Sequence, residues 1–168
     1  ANDSGTVNSF DVSIVPGSLL RSTPTRLALA WVSGGRARLR TFETNDSGNF
    51  VPATAAIAPA ATENSTDTVG VILRDSEIYL AVSPAGSHEV SLRKFDLDLV
   101  ATEYLAVNPA GIGSGGTHPK LRMIGTTLYL IGEVSGVPVL YSVAPDLSSA
   151  TLVANFFGGV LTFGPEVR

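Results

Sequence analysis

The chain has 168 residues and a net charge of −4; 44% of it is hydrophobic and only 15% charged. That length suits one domain with a sizeable core, and the apolar bias excludes a disordered composition. Its only lysines are Lys94 and Lys120, so it lacks the positive stripe that a nucleic acid or an anionic membrane surface demands; with no cysteine it has no disulfide, thiolate chemistry or Cys-ligated metal.

The start, "ANDSG", reads as a mature N-terminus left by cleavage behind a small residue. With arginine and alanine favoured over lysine, it predicts an exported bacterial protein, periplasmic, secreted or at the cell surface. Next comes "NSFDVSIV" at 8–15, where Phe10, Val12 and Ile14 alternate with Ser9, Asp11 and Ser13, the period of a half-buried strand. "LLR" at 19–21 precedes a core strand, "LALAWV", which runs through Gly34–Gly35 into "RLRTFE" at 38–43. The pattern then returns. "IYLAVSPAG" at 78–86 and "LYLIGEVSG" at 128–136 follow "LALAWVSGG" at spacings of 51 and 50 residues. Each leads into a second strand ("VSLRKFD", 90–96; "PVLYSV", 138–143), then an aspartate (Asp46, Asp98, Asp146), and in the later two repeats a further strand ("TEYLAV", 102–107; "TLVANF", 151–156). The stretch 91–105 is free of Gly and Pro, yet Phe95, Leu97 and Leu99 alternate with Lys94, Asp96 and Asp98, so strand is expected there and not helix. The most apolar stretch, 153–163, is broken by Asn155 and Gly158–Gly159 and falls short of the ~20 residues of a membrane span.

Four short strands in about 50 residues, repeated, resemble the blades of a β-propeller. The core strands are apolar on both faces, which a stack of blades satisfies better than the alternative, a β-sandwich. The turn "TNDSGNF" at 44–50 is similar to the Asp-box of sialidase-like propellers at Thr44, Asp46 and Gly48, but lacks its Thr and Trp. The resemblance implies an all-β fold in one propeller-like unit over 1–168. Its repeats are expected at 17–67, 68–117 and 118–168, with "LLR" matching "KLR" at 120–122 as inner strands, and 1–16 as the outer strand of an incomplete blade. Propellers generally need about four to eight blades. The chain is therefore expected to belong to a longer propeller, to pair with a second copy, or to dock on other protein subunits.

No catalytic constellation, metal site or cofactor is expected. The resemblance places the loops around Asp67, His88, Glu89 and His118 on the ligand-binding face of a propeller, where a metal site or an acid/base pair would form if they converged. The histidines lack HxH or HExxH spacing, so the plainer reading is solvated loop. "GIGSGGTHP" at 111–119 is followed by Pro and a strand, not by the helix N-terminus that a phosphate loop requires. Asp75, Glu77, Asp96 and Asp98 read as solvated, and Trp31, Tyr79 and Tyr129 as packing between blades. Asn2, Asn45 and Asn64 stand in N-x-S/T sequons in expected loops. The functional expectation is a non-catalytic structural or protein-interaction subunit of an exported or cell-surface assembly; the alternative is part of a glycan-binding or glycan-cleaving propeller.

Overall fold

The period of two is realised throughout. The computed structural model describes residues 7–17, 23–58, 66–84, 90–107, 119–134 and 137–155, and among them every regular element is a strand. The first sheet comprises β1 (Val7–Val15), β2 (Arg26–Ser33), β3 (Arg36–Thr44) and β4 (Phe50–Pro52). The second comprises β5 (Thr66–Arg74), β6 (Glu77–Pro84), β7 (Val90–Phe95) and β8 (Ala101–Val107), and the third β9 (Lys120–Ile124), β10 (Thr127–Val134), β11 (Val137–Val143) and β12 (Ala150–Asn155). Each is a four-stranded antiparallel meander in chain order.

Two kinds of turn set the register. Gly34–Gly35 joins β2 to β3 with φ of 58° and 72°, the left-handed pair of a two-residue hairpin turn. The turns from third to fourth strand share another geometry. The N–H groups of Gly48, Leu99 and Leu147 donate to the carbonyls of Asn45, Asp96 and Ala144 at 2.8, 3.2 and 2.8 Å, and all three donors have positive φ. A leucine in that conformation costs about 1–2 kcal/mol. Leu99 and Leu147 are buried, and burial of a leucine is worth about 1.5–3 kcal/mol, so packing outweighs the backbone cost.

These turns correct two expectations. The shared first position is Asn45, Asp96 and Ala144, not the aspartates 46, 98 and 146, which fall at unequal places. In the first turn Asn45 Oδ1 accepts from the turn's own N–H groups, those of Ser47 and Asn49, both at 3.0 Å, while in the third Asp146 Oδ1 accepts from Ser148 N–H at 3.1 Å. Asp96 begins a turn rather than lining a strand, its Oδ1 accepting from Val100 N–H at 2.8 Å. The alternation over 95–99 is therefore the end of β7 running into a turn.

The strand at 8–15 is also relocated. It is β1, paired with β2 from Val15↔Arg26 back to Ser9↔Val32, and so is the inner strand of the first sheet rather than the outer strand of a separate blade. The expected inner strand "LLR" at 19–21 lies outside the described residues, and residues 16–25 separate β1 from β2 where residues 75–76 and 125–126 suffice in the other sheets.

Two apolar layers hold the sheets together. Ala28, Ala30, Val32 and Leu39 of the first sheet pack on Val71, Leu73, Ile78, Leu80 and Phe95 of the second. The other face of the second sheet, with Tyr79, Ala81, Val90 and Leu92, packs on Leu121, Leu128, Leu130, Tyr141 and Val143 of the third. Among the described residues β6 is buried on both sides from Ile78 to Ser83, whereas β2 and β10 largely alternate between buried and half-buried positions. The expectation of two covered faces thus holds for the middle sheet.

The sheets converge at their inner strands. Val71 N–H of β5 donates to Asp11 Oδ2 and Leu73 N–H to Ser13 Oγ, each at 2.9 Å, while Lys120 Nζ of β9 lies 3.8 Å from Asp11 Oδ1. Between β5 and β9 the approach is by backbone. A Cβ on Gly70 would lie 2.6 Å from the Pro119 carbonyl oxygen. Gly70→Ala is therefore expected to force β9 outwards and to lower unfolding free energy by about 1–3 kcal/mol in urea denaturation; an unchanged midpoint would show that β5 and β9 do not approach so closely.

Candidate functional site

The side chains of the four residues expected on a ligand-binding face lie outside the described structure. Asp67 has its backbone in β5, and its side chain is not among those described; His88, Glu89 and His118 lie outside the described residues. Among the described residues no group of three or more His, Asp or Glu side chains could hold a metal ion.

Two shallow clefts lie at the opposite end of the sheets from Asp67. The first, about 380 Å³, is lined in part by Arg26, Phe42, Glu43, Leu97 and Asp98. Glu43 there is engaged by Arg26 across 2.8 Å, so the cleft offers no free carboxylate pair of the kind glycoside hydrolysis uses. The second, about 430 Å³, is lined by Thr127, Ser142, Pro145, Ser149 and their neighbours and carries no titratable side chain.

One joint between the second and third sheets is polar. Tyr79 is buried, and its hydroxyl lies 2.7 Å from Glu77 Oε2 and 3.1 Å from the Pro145 carbonyl oxygen. The single phenolic proton serves one acceptor at a time, and the carboxylate is the stronger. Lys94 Nζ sits 2.8 Å from Glu77 Oε1 and 5.7 Å from the Tyr79 ring centroid. Hydrogen bonds from Lys94, and then from Tyr79, hold the Glu77 carboxyl below the usual glutamate range. Glu77, expected as a solvated turn residue, thus anchors a tyrosine that spans two sheets; Tyr79 packs between sheets with its polar tip bonded, as expected.

Among the described residues, nothing covers one face of the first sheet. Cross-strand pairing puts Phe10, Val12 and Ile14 opposite Trp31, Leu29 and Leu27 on that face. Register fixes their counterparts. Phe10, Val12 and Ile14 correspond to Val69, Val71 and Leu73 of β5, which pair with Val82, Leu80 and Ile78. Val69, Val71 and Leu73 are 1%, 3% and 4% exposed against the first sheet, whereas Phe10, Val12 and Ile14 are 67%, 44% and 52% exposed. The third strand adds Arg36, Arg38 and Arg40 to the same face, opposite Ser33, Trp31 and Leu29. Exposed apolar side chains clustered beside charged ones are what protein-binding faces present. Sequence reasoning singled out the alternation at 8–15 but not its role, since pattern alone does not say which face is covered.

No protein-family model matches the chain, and no curated protein matches it in sequence. Among the described residues no helix is long and apolar enough to cross a membrane.

The Tyr79 joint has a pH signature. Because the folded carboxyl of Glu77 is depressed, its contribution is present above the ordinary glutamate pKa of about 4.3 and lost as pH falls through the lower folded value. Glu77→Gln is expected to cost up to about 1 kcal/mol at pH 7, with the difference from the unsubstituted protein closing as pH falls below the ordinary glutamate pKa. Thermal melts across that range check it; a pH-independent difference would contradict it.

Proposed function

We propose that this chain is a non-catalytic set of propeller-type blades, serving as a structural or protein-interaction subunit of a larger exported or cell-surface assembly. The exported setting rests on the sequence features given above. The observation that carries the reading is the uncovered first-sheet face. Its Phe10, Val12 and Ile14 occupy the register positions that the second sheet buries against a neighbouring sheet. Exposing that much apolar surface in water costs about 25 cal/mol per Å², which favours a covering partner. The described clefts supply no unpaired acid pair and no metal cluster, so they lend no support to the glycan-cleaving alternative.

In extracts of the native host, a tagged copy is expected to migrate well above its own 17.4 kDa. Val12→Asp combined with Ile14→Asp should return it to that mass. The purified variant should still melt within about 2 °C of the unsubstituted chain, because exposed positions contribute little to folding. A tagged chain that migrates at its own mass in the host would contradict the reading.

A further inference from the structure

We infer that the face of the first sheet left uncovered by the described residues receives a β-sheet unlike the third sheet of a second copy, one whose inner strand presents hydrogen-bond acceptors. This rests on the interaction-subunit reading and names the chemistry of the partner.

The ladder fixes which way the β1 donors point. The two-residue turn at Gly34–Gly35 makes Ser33↔Arg36 a hydrogen-bonded pair. Alternation then makes Leu29↔Arg40 and Leu27↔Phe42 hydrogen-bonded pairs as well. Leu29 and Leu27 thus direct their backbone groups to β3, and the N–H groups of Val12 and Ile14, which lie opposite them, point off the outer edge of β1. They are the register equivalents of Val71 and Leu73, whose N–H groups point off β5 and are taken up by Asp11 Oδ2 and Ser13 Oγ.

A sheet that covers β1 in the same manner needs acceptors at the Asp11 and Ser13 positions. In the second sheet those positions are Gly70 and Ile72, and the inner edge of β9 is met by close backbone approach over Gly70. The molecule therefore covers an inner edge in two ways, by acceptor side chains or by a position with no side chain. In the third sheet the equivalents are Lys120 and Arg122, opposite Ile131 and Tyr129. Lysine and arginine have donors only. A second copy would bring these two cations, both exposed and Lys120 already 3.8 Å from its own chain's Asp11, against the outward N–H groups of β1 on a face that already carries Arg36, Arg38 and Arg40. Charge complementarity instead selects a partner with Asp, Asn or Ser at the two contact positions.

The test supplies the missing acceptors on this chain. Sedimentation equilibrium over a concentration series is expected to hold the unsubstituted protein at its 17.4 kDa monomer mass. Lys120→Asn with Arg122→Ser is expected to tighten self-association at least tenfold, driving the mass towards twice that value, and a further Val12→Asp should reverse it. Two results overturn the inference: an unsubstituted protein that dimerises and is dissociated by Val12→Asp, or a double variant with native circular dichroism and melting that stays monomeric. If the double variant does not fold, Arg122→Ser alone, at an exposed position, is judged by the same two criteria. Either overturning result leaves the subunit reading standing, because that reading fails only if the chain runs at its own mass in host extracts.

Discussion

The structure depends on what happens at the inner edge of each sheet. An antiparallel sheet ends in a row of N–H and C=O groups that must be bonded or kept wet. Here the inner edge of β5 is buried against the first sheet, and Asp11 and Ser13 of β1 accept its outward N–H groups. A bonded donor adds about 1 kcal/mol, whereas a buried donor left empty costs about 1–3 kcal/mol. These two side chains therefore decide that β1 and β5 can lie together, and the apolar layer between Ala28, Ala30, Leu73 and Leu80 can form only once they do.

The same geometry gives the sheets a direction. Where the first and second sheets meet, the first presents small or polar residues (Asp11, Ala28, Ala30) and the second branched or long apolar ones (Val71, Leu73, Ile78, Leu80). Such faces stack in one order, and both terminal sheets keep one face uncovered by any described residue. On the first sheet it is apolar with arginines beyond it. On the third it is half-buried Tyr129, Ile131 and Leu140 with exposed Lys120 and Arg122. The two are alike in charge, which is why their chemistry points to unlike neighbours.

Much of this was legible in the sequence, for physical reasons. The strands β6 and β10 recur because Ile78 and Leu128 and the residues two places on are buried between sheets, and Leu27 and Leu29 hold the equivalent positions of β2 on the face that no described sheet covers. The first inner strand was not legible from spacing, since a long excursion replaced a two-residue turn and broke the period. Nor were the turns at Leu99 and Leu147. Local rules reserve positive φ for Gly and Asn, as at Gly48, and only burial by a distant sheet makes leucine acceptable there. Asp11 looked like the wet side of an ordinary alternating strand, because nothing local shows that its partners are the N–H of Val71 and the ammonium of Lys120. For Asp67, His88, Glu89 and His118, the spacing carried no metal or catalytic signature, and their side chains lie outside the described structure.

Amide hydrogen exchange tests the edge-bonding account most directly, because one protein holds both kinds of edge. The Val71 and Leu73 amides, bonded to Asp11 and Ser13, are expected to be protected like ladder amides, while the equivalent Val12 and Ile14 amides exchange freely. Asp11→Ala should speed Val71, and Ser13→Ala should speed Leu73, each leaving Ile72 unchanged. Val71 and Leu73 exchanging as fast as Val12 and Ile14 in the unsubstituted protein would contradict the claim that side chains of β1 hold the edge of β5.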